Sequence, residues 1–327
     1  MTATVRAIEY YLPEDVLGND LLSQRFSDWT PEKIEEKTGI RARRIAAADQ
    51  CSSDLAVEAA KRLFASGAIA PEQIDYILLC TQSPDYFLPT TACLVQERLG
   101  IPTSAGALDF NLGCSGFVYG LGLAKGLIET GQARNVLLLT AETYSKFMHP
   151  DDRSTRSIFG DAAAATLISD VDAPPNAIGP FSFGTDGKGA KNLIVPAGGM
   201  RKAIAPGELT PEDALYMNGP EIFTFTLRIV PASVKEVLER AGKSMDDVDL
   251  FIFHQANRYM LDHLRKKMKI AEEKFYIFMS DCGNTVSSTI PIALKHAVDD
   301  GRLQRGQTAM LVGFGVGYSW ASTLIRW

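Results

Sequence analysis

The chain has 327 residues, 46% of them hydrophobic and 22% charged, with a formal net charge of −6. That length exceeds what one hydrophobic core usually takes, so two structural halves or one large α/β unit are expected. Basic residues are dispersed rather than massed in a stripe, which argues against nucleic acid as the main partner.

The opening stretch, MTATVRAIEYYLPEDV, has no cationic segment followed by an apolar run, as a secretory signal would. No stretch approaches the roughly 18 uninterrupted apolar residues of a membrane helix. A cytoplasmic protein without membrane insertion is the expectation. The five cysteines (Cys51, Cys80, Cys93, Cys114 and Cys282) form no CxxC pair and no disulfide-like framework. Reduced thiols fit, and one of them is free to be a nucleophile.

Short β-rich runs alternate with amphipathic ones. Residues 74–79 (IDYILL), 135–140 (NVLLLT), 250–253 (LFIF) and 309–312 (AMLV) predict buried strands covered on both faces. Residues 53–65 predict a helix capped by Ser53, and residues 231–241 predict another. This alternation predicts α/β layering. Displacing the chain by 174 residues lays Ile74 and Asp75 on Val248 and Asp249, the strand from Asn135 on the strand from Ala309, and Cys114 on Ser288. The pattern predicts a duplicated protein whose halves, 1–172 and 173–327, meet in the Pro- and Asp-containing stretch 169–180.

Four segments are candidates for chemistry. In ALDFNLGCSGFVYGL (107–121) a strand leads through a glycine-flanked turn into a small-residue helix ending near Glu129. Cys114 sits at that helix's start, where the macrodipole and free N–H groups favour a thiolate. A buried structural cysteine is the equal alternative. In DLFIFHQANRYM (249–260) His254 follows a strand directly, as either a site residue or a satisfied core histidine. His149, His263 and His296 lie in polar contexts, and no two histidines share i, i+4 spacing with carboxylates, so no metal site is expected. In DCGNTVSSTIPIAL (281–294) Asn284 follows Gly283 and reads equally as a turn residue. In LVGFGVGYSW (311–320) alternating glycines end a strand and offer backbone N–H groups to an oxyanion. Neither this run nor GTDGKG (184–189) has the spacing of a nucleotide-binding loop.

Taken in this order the segments resemble the β-ketoacyl-[acyl-carrier-protein] synthase III family of thiolase-fold condensing enzymes. The resemblance rests on GIRARRIA (39–46), SDLAVEAAKRL (53–63), GCSGF (113–117), IFGDAAAA (158–165), HQAN (254–257), GNT (283–285) and FGVGYSW (314–320). It implies a five-layered αβαβα fold, a homodimer, and no permanently bound cofactor. The implied reaction is a decarboxylative Claisen condensation, in fatty-acid initiation or a specialised pathway. Cys114 takes an acyl group from acyl-CoA, and malonyl-acyl carrier protein or malonyl-CoA extends it. His254 and Asn284 donate neutral N–H groups to the extender's thioester oxygen, and the backbone N–H groups of Cys114 and Val316 hold the second oxyanion. Arg153 and Trp29 flank the CoA adenine. Leu88, or its neighbours Phe87 and Tyr86, reaches across the dimer to limit the partner's acyl pocket.

Three positions depart from the family pattern. Tyr259 stands where a carrier-docking arginine is usual, with Arg258 about 100° away around the helix. Val316 replaces a glycine, and alanines follow IFGD in place of glycines. The alternative within the fold is acyl transfer from Cys114 to an alcohol or amine without decarboxylation.

Overall fold

Successive residues of a strand face opposite sides of its sheet, and in the computed structural model of the chain both sides are covered by helices. The structure describes residues 1–171, 174–204 and 209–327. Among these, two five-stranded mixed sheets form the frame. The first is ordered Thr4–Tyr11, Ala162–Ser169, Asn135–Glu142, Tyr76–Cys80, Gly106–Phe110. The second is ordered Ile178–Thr185, Ser319–Arg326, Thr308–Gly315, Leu250–Phe253, Phe275–Tyr276. Parallel and antiparallel pairings fall at the same places in both, so the sheets correspond strand for strand.

The period of two sorts the buried strand residues into layers. Leu78, Val136 and Leu138 of the first sheet share one core with Leu250, Ile252 and Leu311 of the second. Between them lie Phe117, Leu121, Ile290 and Leu294, from the helices Gly116–Glu129 and Thr289–Asp299. The alternate residues Ile77, Leu79, Leu137 and Leu139 face outward onto the helices Ser52–Ala65 and Thr91–Leu99. Phe251, Phe253, Met310 and Val312 likewise face the helices Gly219–Ala241 and Arg258–Lys267. The result is the expected αβαβα stack, in which each buried Leu, Ile or Phe contributes about 1.5–3 kcal/mol.

The duplication extends to side chains. The Asp75 carboxylate accepts the N–H of Asn135 at 2.8 Å, and the Asp249 carboxylate accepts the N–H of Thr308 at 2.8 Å. Tyr76 pairs with Val136 and Leu250 with Ala309, so the second strand of the repeat corresponds at one residue less than the displacement that aligns the first.

Local expectations needed two corrections. The helix expected from Ser53 begins at Ser52 with Cys51 as its cap, because Asp54 reaches back to the Cys51 N–H at 2.6 Å. Ser53 instead receives the Arg98 guanidinium on its hydroxyl at 2.8 Å. The helix expected from Pro231 is the second half of Gly219–Ala241, with Pro231 inside it. Val230, Val234 and Val237 bury one continuous face against the second sheet, and that packing carries the helix past a residue that would otherwise end it. The expected boundary between the halves, at 172 and 173, lies outside the described residues. Among the described residues no helix is long and apolar enough to cross a membrane.

Candidate active site

Cys114 lies in the turn between the strand Gly106–Phe110 and the central helix Gly116–Glu129, with the N–H of Gly116 bonded to the carbonyl of Gly113 at 2.7 Å. Its side chain is buried at 5% exposure. The second half comes close from above. A Cβ on Gly315 would stand 2.9 Å from the Cys114 sulfur, and one on Gly313 would stand 2.8 Å from the Cys114 carbonyl. These two glycines of the strand Thr308–Gly315 are therefore what lets the two halves meet at the sulfur.

His254 continues the strand Leu250–Phe253, its N–H bonded to the Val312 carbonyl at 2.8 Å. The rest of HQAN is scaffolding. Gln255 is wholly buried, donates to the Phe253 carbonyl at 2.6 Å and accepts from the Phe278 N–H at 2.7 Å. Asn257 caps the helix Arg258–Lys267 through the Met260 N–H at 2.9 Å. Asn284 is held by the first half: its N–H bonds the Ile158 carbonyl at 2.9 Å, and its carbonyl accepts from Gly160 at 3.0 Å. A Cβ on Gly160 would meet the Cys282 carbonyl at 2.3 Å, which explains the glycine of IFGD. The Asn284 side-chain oxygen accepts from the Val286 N–H at 2.9 Å, and this turns the amide nitrogen toward His254 Nε2, 3.4 Å away.

Cys114, His254 and Asn284 thus line one cavity of about 360 Å³. Its remaining walls are almost wholly apolar, with Phe159, Leu193 and Phe314 near the sulfur and Phe223, Tyr259 and Met260 farther along. Tyr259 is 57% exposed and stacks with Phe223 and His263. Arg258 packs over Gly39 and pairs with Asp262 at 3.0 Å, so, as the sequence implied, Tyr259 and not an arginine stands at the cavity where the family pattern has its carrier-docking arginine.

The electrostatics correct one expectation. Burial pushes the Cys114 thiol up to about 12, and the nearby Glu142 carboxylate adds to the effect. A helix macrodipole is worth about 0.3–1 kcal/mol, less than one pK unit, so desolvation outweighs it. The Cys114 thiol is therefore neutral in the empty site. Burial alone lowers His254 to about 3, so the imidazole is neutral in the empty site. Glu142 is fully buried and burial raises it to about 8, while Gln82 N–H, Ser83 and Ser287 donate to it.

The softer expectations divide. Arg153 and Trp29 are brought together, the guanidinium carbon 5.0 Å from the indole centroid, and Arg153 pairs with Asp28. The indole face is already occupied, so an adenine between them has to part the two side chains. Phe87 and Leu88 are 79% and 82% exposed beside Tyr86 and line no part of the cavity within one chain. Val316 packs beside the Cys114 cluster without backbone strain, because Gly317 takes the left-handed conformation of that turn (φ +99°). Reading the sequence missed Tyr144, Glu142 and Thr289, whose hydroxyl oxygen lies 2.7 Å from His254 Nδ1. Tyr144 is buried in the cluster around Cys114, its ring 5.2 Å from Phe159 and its hydroxyl donating to Gln82 at 3.2 Å. All three lie in stretches whose local pattern is ordinary strand or helix. Among the described residues no group of acidic, His and Cys side chains could hold a metal.

A duplicated αβαβα fold that pools a cysteine from one half with a histidine and an asparagine from the other defines a thiolase-type condensing enzyme. Family models for 3-oxoacyl-[acyl-carrier-protein] synthase III match residues 108–187, and for its C-terminal part residues 238–327. A β-ketoacyl-[acyl-carrier-protein] synthase III of Caldanaerobacter subterraneus subsp. tengcongensis is 41% identical, over 97% of this chain and 95% of its own. A crystal structure of a 3-oxoacyl-(acyl-carrier-protein) synthase III superposes with a TM-score of 0.97 at 54% identity, covering 100% of both chains. The Burkholderia xenovorans LB400 3-oxoacyl-(acyl-carrier protein) synthase does so with a TM-score of 0.93 at 37% identity, over 99% of this chain and 94% of its own. The chain belongs to the β-ketoacyl-[acyl-carrier-protein] synthase III family.

Proposed function

We propose that the enzyme is an acyltransferase that condenses an acyl-CoA starter with malonyl-acyl carrier protein to give a 3-oxoacyl thioester, the step that initiates fatty-acid synthesis. The observation that carries this is the convergence of Cys114, His254 and Asn284 on one apolar cavity that opens at Tyr259 and Phe223. A cavity this apolar suits a thin thioester-bearing arm and excludes water from the chemistry. Cys114 attacks the starter, and the acyl group waits on sulfur, as ping-pong kinetics would report. Malonyl then loses carbon dioxide while His254 and Asn284 hold the enolate oxygen, and the carbon nucleophile attacks the carbonyl carbon of the acyl-Cys114 thioester, whose carbon–sulfur bond breaks as the adduct collapses. Backbone N–H groups of Cys114 and Val316 hold the oxyanion of each tetrahedral adduct.

The acyl group sits past the sulfur among Tyr144, Phe159, Leu193 and Val286, which supports a short starter. The CoA adenine enters between Trp29 and Arg153 once that stack opens. Two copies associate, and the exposed Tyr86, Phe87 and Leu88 of each pack toward the other's acyl pocket. The halves divide at 172/173, and the protein works in the cytoplasm with no permanently bound cofactor.

Intact-protein mass spectrometry after incubation with acyl-CoAs of rising length, beside Cys114→Ala, tests the reading. One acyl adduct absent from the variant, together with carbon dioxide release from malonyl-acyl carrier protein, is the expected result. No adduct from any donor sinks it.

A further inference from the structure

Asn284 is held at the cavity by a splice between two distant segments. Phe159 and Asn284 form a parallel β-bridge, closed by the Asn284 N–H on the Ile158 carbonyl at 2.9 Å and the Gly160 N–H on the Asn284 carbonyl at 3.0 Å. The residue before Asn284 is Gly283, in the left-handed conformation (φ +73°), so the chain on that side is not stiff by itself. A third segment, the strand Ala42–Ile45, runs against both. The Arg41 and Ala42 N–H groups share the Ser280 carbonyl at 2.7 and 3.0 Å, and the Arg41 guanidinium pairs with Asp281 at 3.1 Å. On its other side the Arg44 carbonyl accepts the Asp161 N–H at 2.8 Å. The strand therefore splints the loop before Asn284 to the stretch 157–161.

Arg43 lies in the middle of this splint and is wholly buried. A Cβ on Gly283 would stand 3.0 Å from its Cγ, and one on Gly160 would stand 3.4 Å from its Cβ, so its stem fills the gap beneath the bridge. Nε and Nη2 both donate to the Ser157 carbonyl, Nε at 3.0 Å, and Nη1 donates to the Asn19 side-chain oxygen. Asn19 is itself tied down by its Nδ2 on the Ile40 carbonyl at 2.9 Å. No carboxylate among the described residues pairs with the guanidinium. Burial lowers Arg43 to about 9, which leaves it a cation at neutral pH. A buried charge with no counter-charge is costly, and an apolar side chain would fill the same gap without that cost. What an apolar side chain lacks is the planar fork, which fixes the Ser157 peptide in direction as well as distance. The Cys114 turn shares none of these bonds and meets the strand Thr308–Gly315 instead.

We infer that Arg43 is a positioning residue for Asn284, clamping Ser157 beneath the bridge so that the Asn284 amide stands where the malonyl thioester oxygen becomes an enolate. The inference rests on the condensation reading above and makes it more specific. Arg43 serves one half-reaction only. Without the fork, residues 157–160 and the Asn284 backbone shift together, and Nδ2 leaves its place while the Cys114 sulfur keeps its own. A displacement of about 1 Å at such a donor costs about 10²-fold in rate.

The test separates the two half-reactions in the full-length enzyme. Acylation of Cys114 by acetyl-CoA is timed by intact-protein mass spectrometry, and carbon dioxide release is measured from malonyl-acyl carrier protein. Wild type is compared with Arg43→Gln and with Arg43→Lys, which keeps the buried cation but has no fork. Both variants are expected to acylate within about threefold of wild type. Carbon dioxide release is expected to fall about tenfold in Arg43→Lys and about 100-fold in Arg43→Gln. In an Asn284→Ala background Arg43→Lys should slow it by less than about twofold, because no amide remains to be placed. A merely structural role would lower both half-reactions or add to the Asn284→Ala loss, and either result overturns the inference. Wild-type carbon dioxide release in both variants overturns it as well. Should neither variant fold, Asn19→Ala removes only the Nη1 acceptor, and it is expected to slow carbon dioxide release about threefold with acylation unchanged. Equal changes in the two half-reactions there overturn the inference. A wild type that forms no acyl adduct overturns the condensation reading itself, whereas an adduct with an unsplit loss overturns the role of Arg43 alone.

Discussion

The two halves of the molecule are the same fold put to different use. Each has a strand–turn–helix unit aimed at the midline: Gly106–Phe110 into Gly116–Glu129 in the first, Phe275–Tyr276 into Thr289–Asp299 in the second. The first turn presents Cys114 into the cavity. In the second, Ser287 stands two residues before its helix as Cys114 stands two before Gly116, one short of the Ser288 that the displacement of 174 aligned with Cys114, and its hydroxyl donates to Glu142 at 2.9 Å. The strands Tyr76–Cys80 and Leu250–Phe253 differ in the same way. The first ends in a buried thiol bonded to the Leu112 carbonyl at 2.8 Å, and the second runs on into a histidine that lines the cavity. Duplication supplied two equivalent platforms, and the cavity draws Cys114 from one and His254 and Asn284 from the other. In the proposed condensation, the acyl group on sulfur and the enolate on His254 and Asn284 are thus held by groups from different halves.

The sharpest way to break this comparison is to delete one member of each pair. Cys114→Ala should abolish the acyl adduct and lower condensation by at least about 10³-fold. Ser287→Ala, at the matching place in the other half, should keep the adduct, and an equal loss there would show that the platforms are not specialised. Asn284→Ala should form the acyl adduct at near wild-type rate yet release carbon dioxide from the malonyl donor about 10²–10³-fold more slowly. A parallel loss in both steps would put Asn284 in the priming half as well.

Glu142 joins the halves, and its titration reports on their fit. Burial raises its folded-state carboxyl to about 8, above the ordinary carboxylate range it regains on unfolding. Between those two values the folded state keeps a proton that the unfolded state has lost. Wild-type stability should thus fall as pH rises from about 4.5 toward 8 and level off beyond, by a few kcal/mol at most. Glu142→Gln should flatten that slope in denaturation midpoints taken at acidic, neutral and alkaline pH. An unchanged slope would assign the pH dependence elsewhere. The smallest effect concerns the starter. Tyr144→Leu opens space beside Phe159 and should shift the ratio of octanoyl to acetyl loading on Cys114 by about tenfold, one to two kcal/mol of pocket discrimination. An unmoved ratio would place the acyl chain elsewhere.

Much of this was legible along the chain. The strands 74–79, 135–140, 250–253 and 309–312 are all real within a few residues, because continuous apolar runs of that length have few other uses. The repeat was visible because both halves keep an aspartate just before the strand to tie down the neighbouring strand's start. Cys114, His254 and Asn284 could each be read alone as a core or turn residue, and their order along the chain, matched to a family, singled them out.

What the sequence determined by itself is therefore the periodicity, the duplication and the order of the motifs, each of which is local or repeats at a fixed distance. The tertiary structure decided the rest. That Pro231 lies inside a helix, that burial raises the Cys114 thiol, and that Asn284 Nδ2 comes within 3.4 Å of His254 Nε2 all follow from contacts between residues far apart in the chain. Burial and hydrogen bonding set those properties, and both depend on which distant groups the fold brings within a few ångströms.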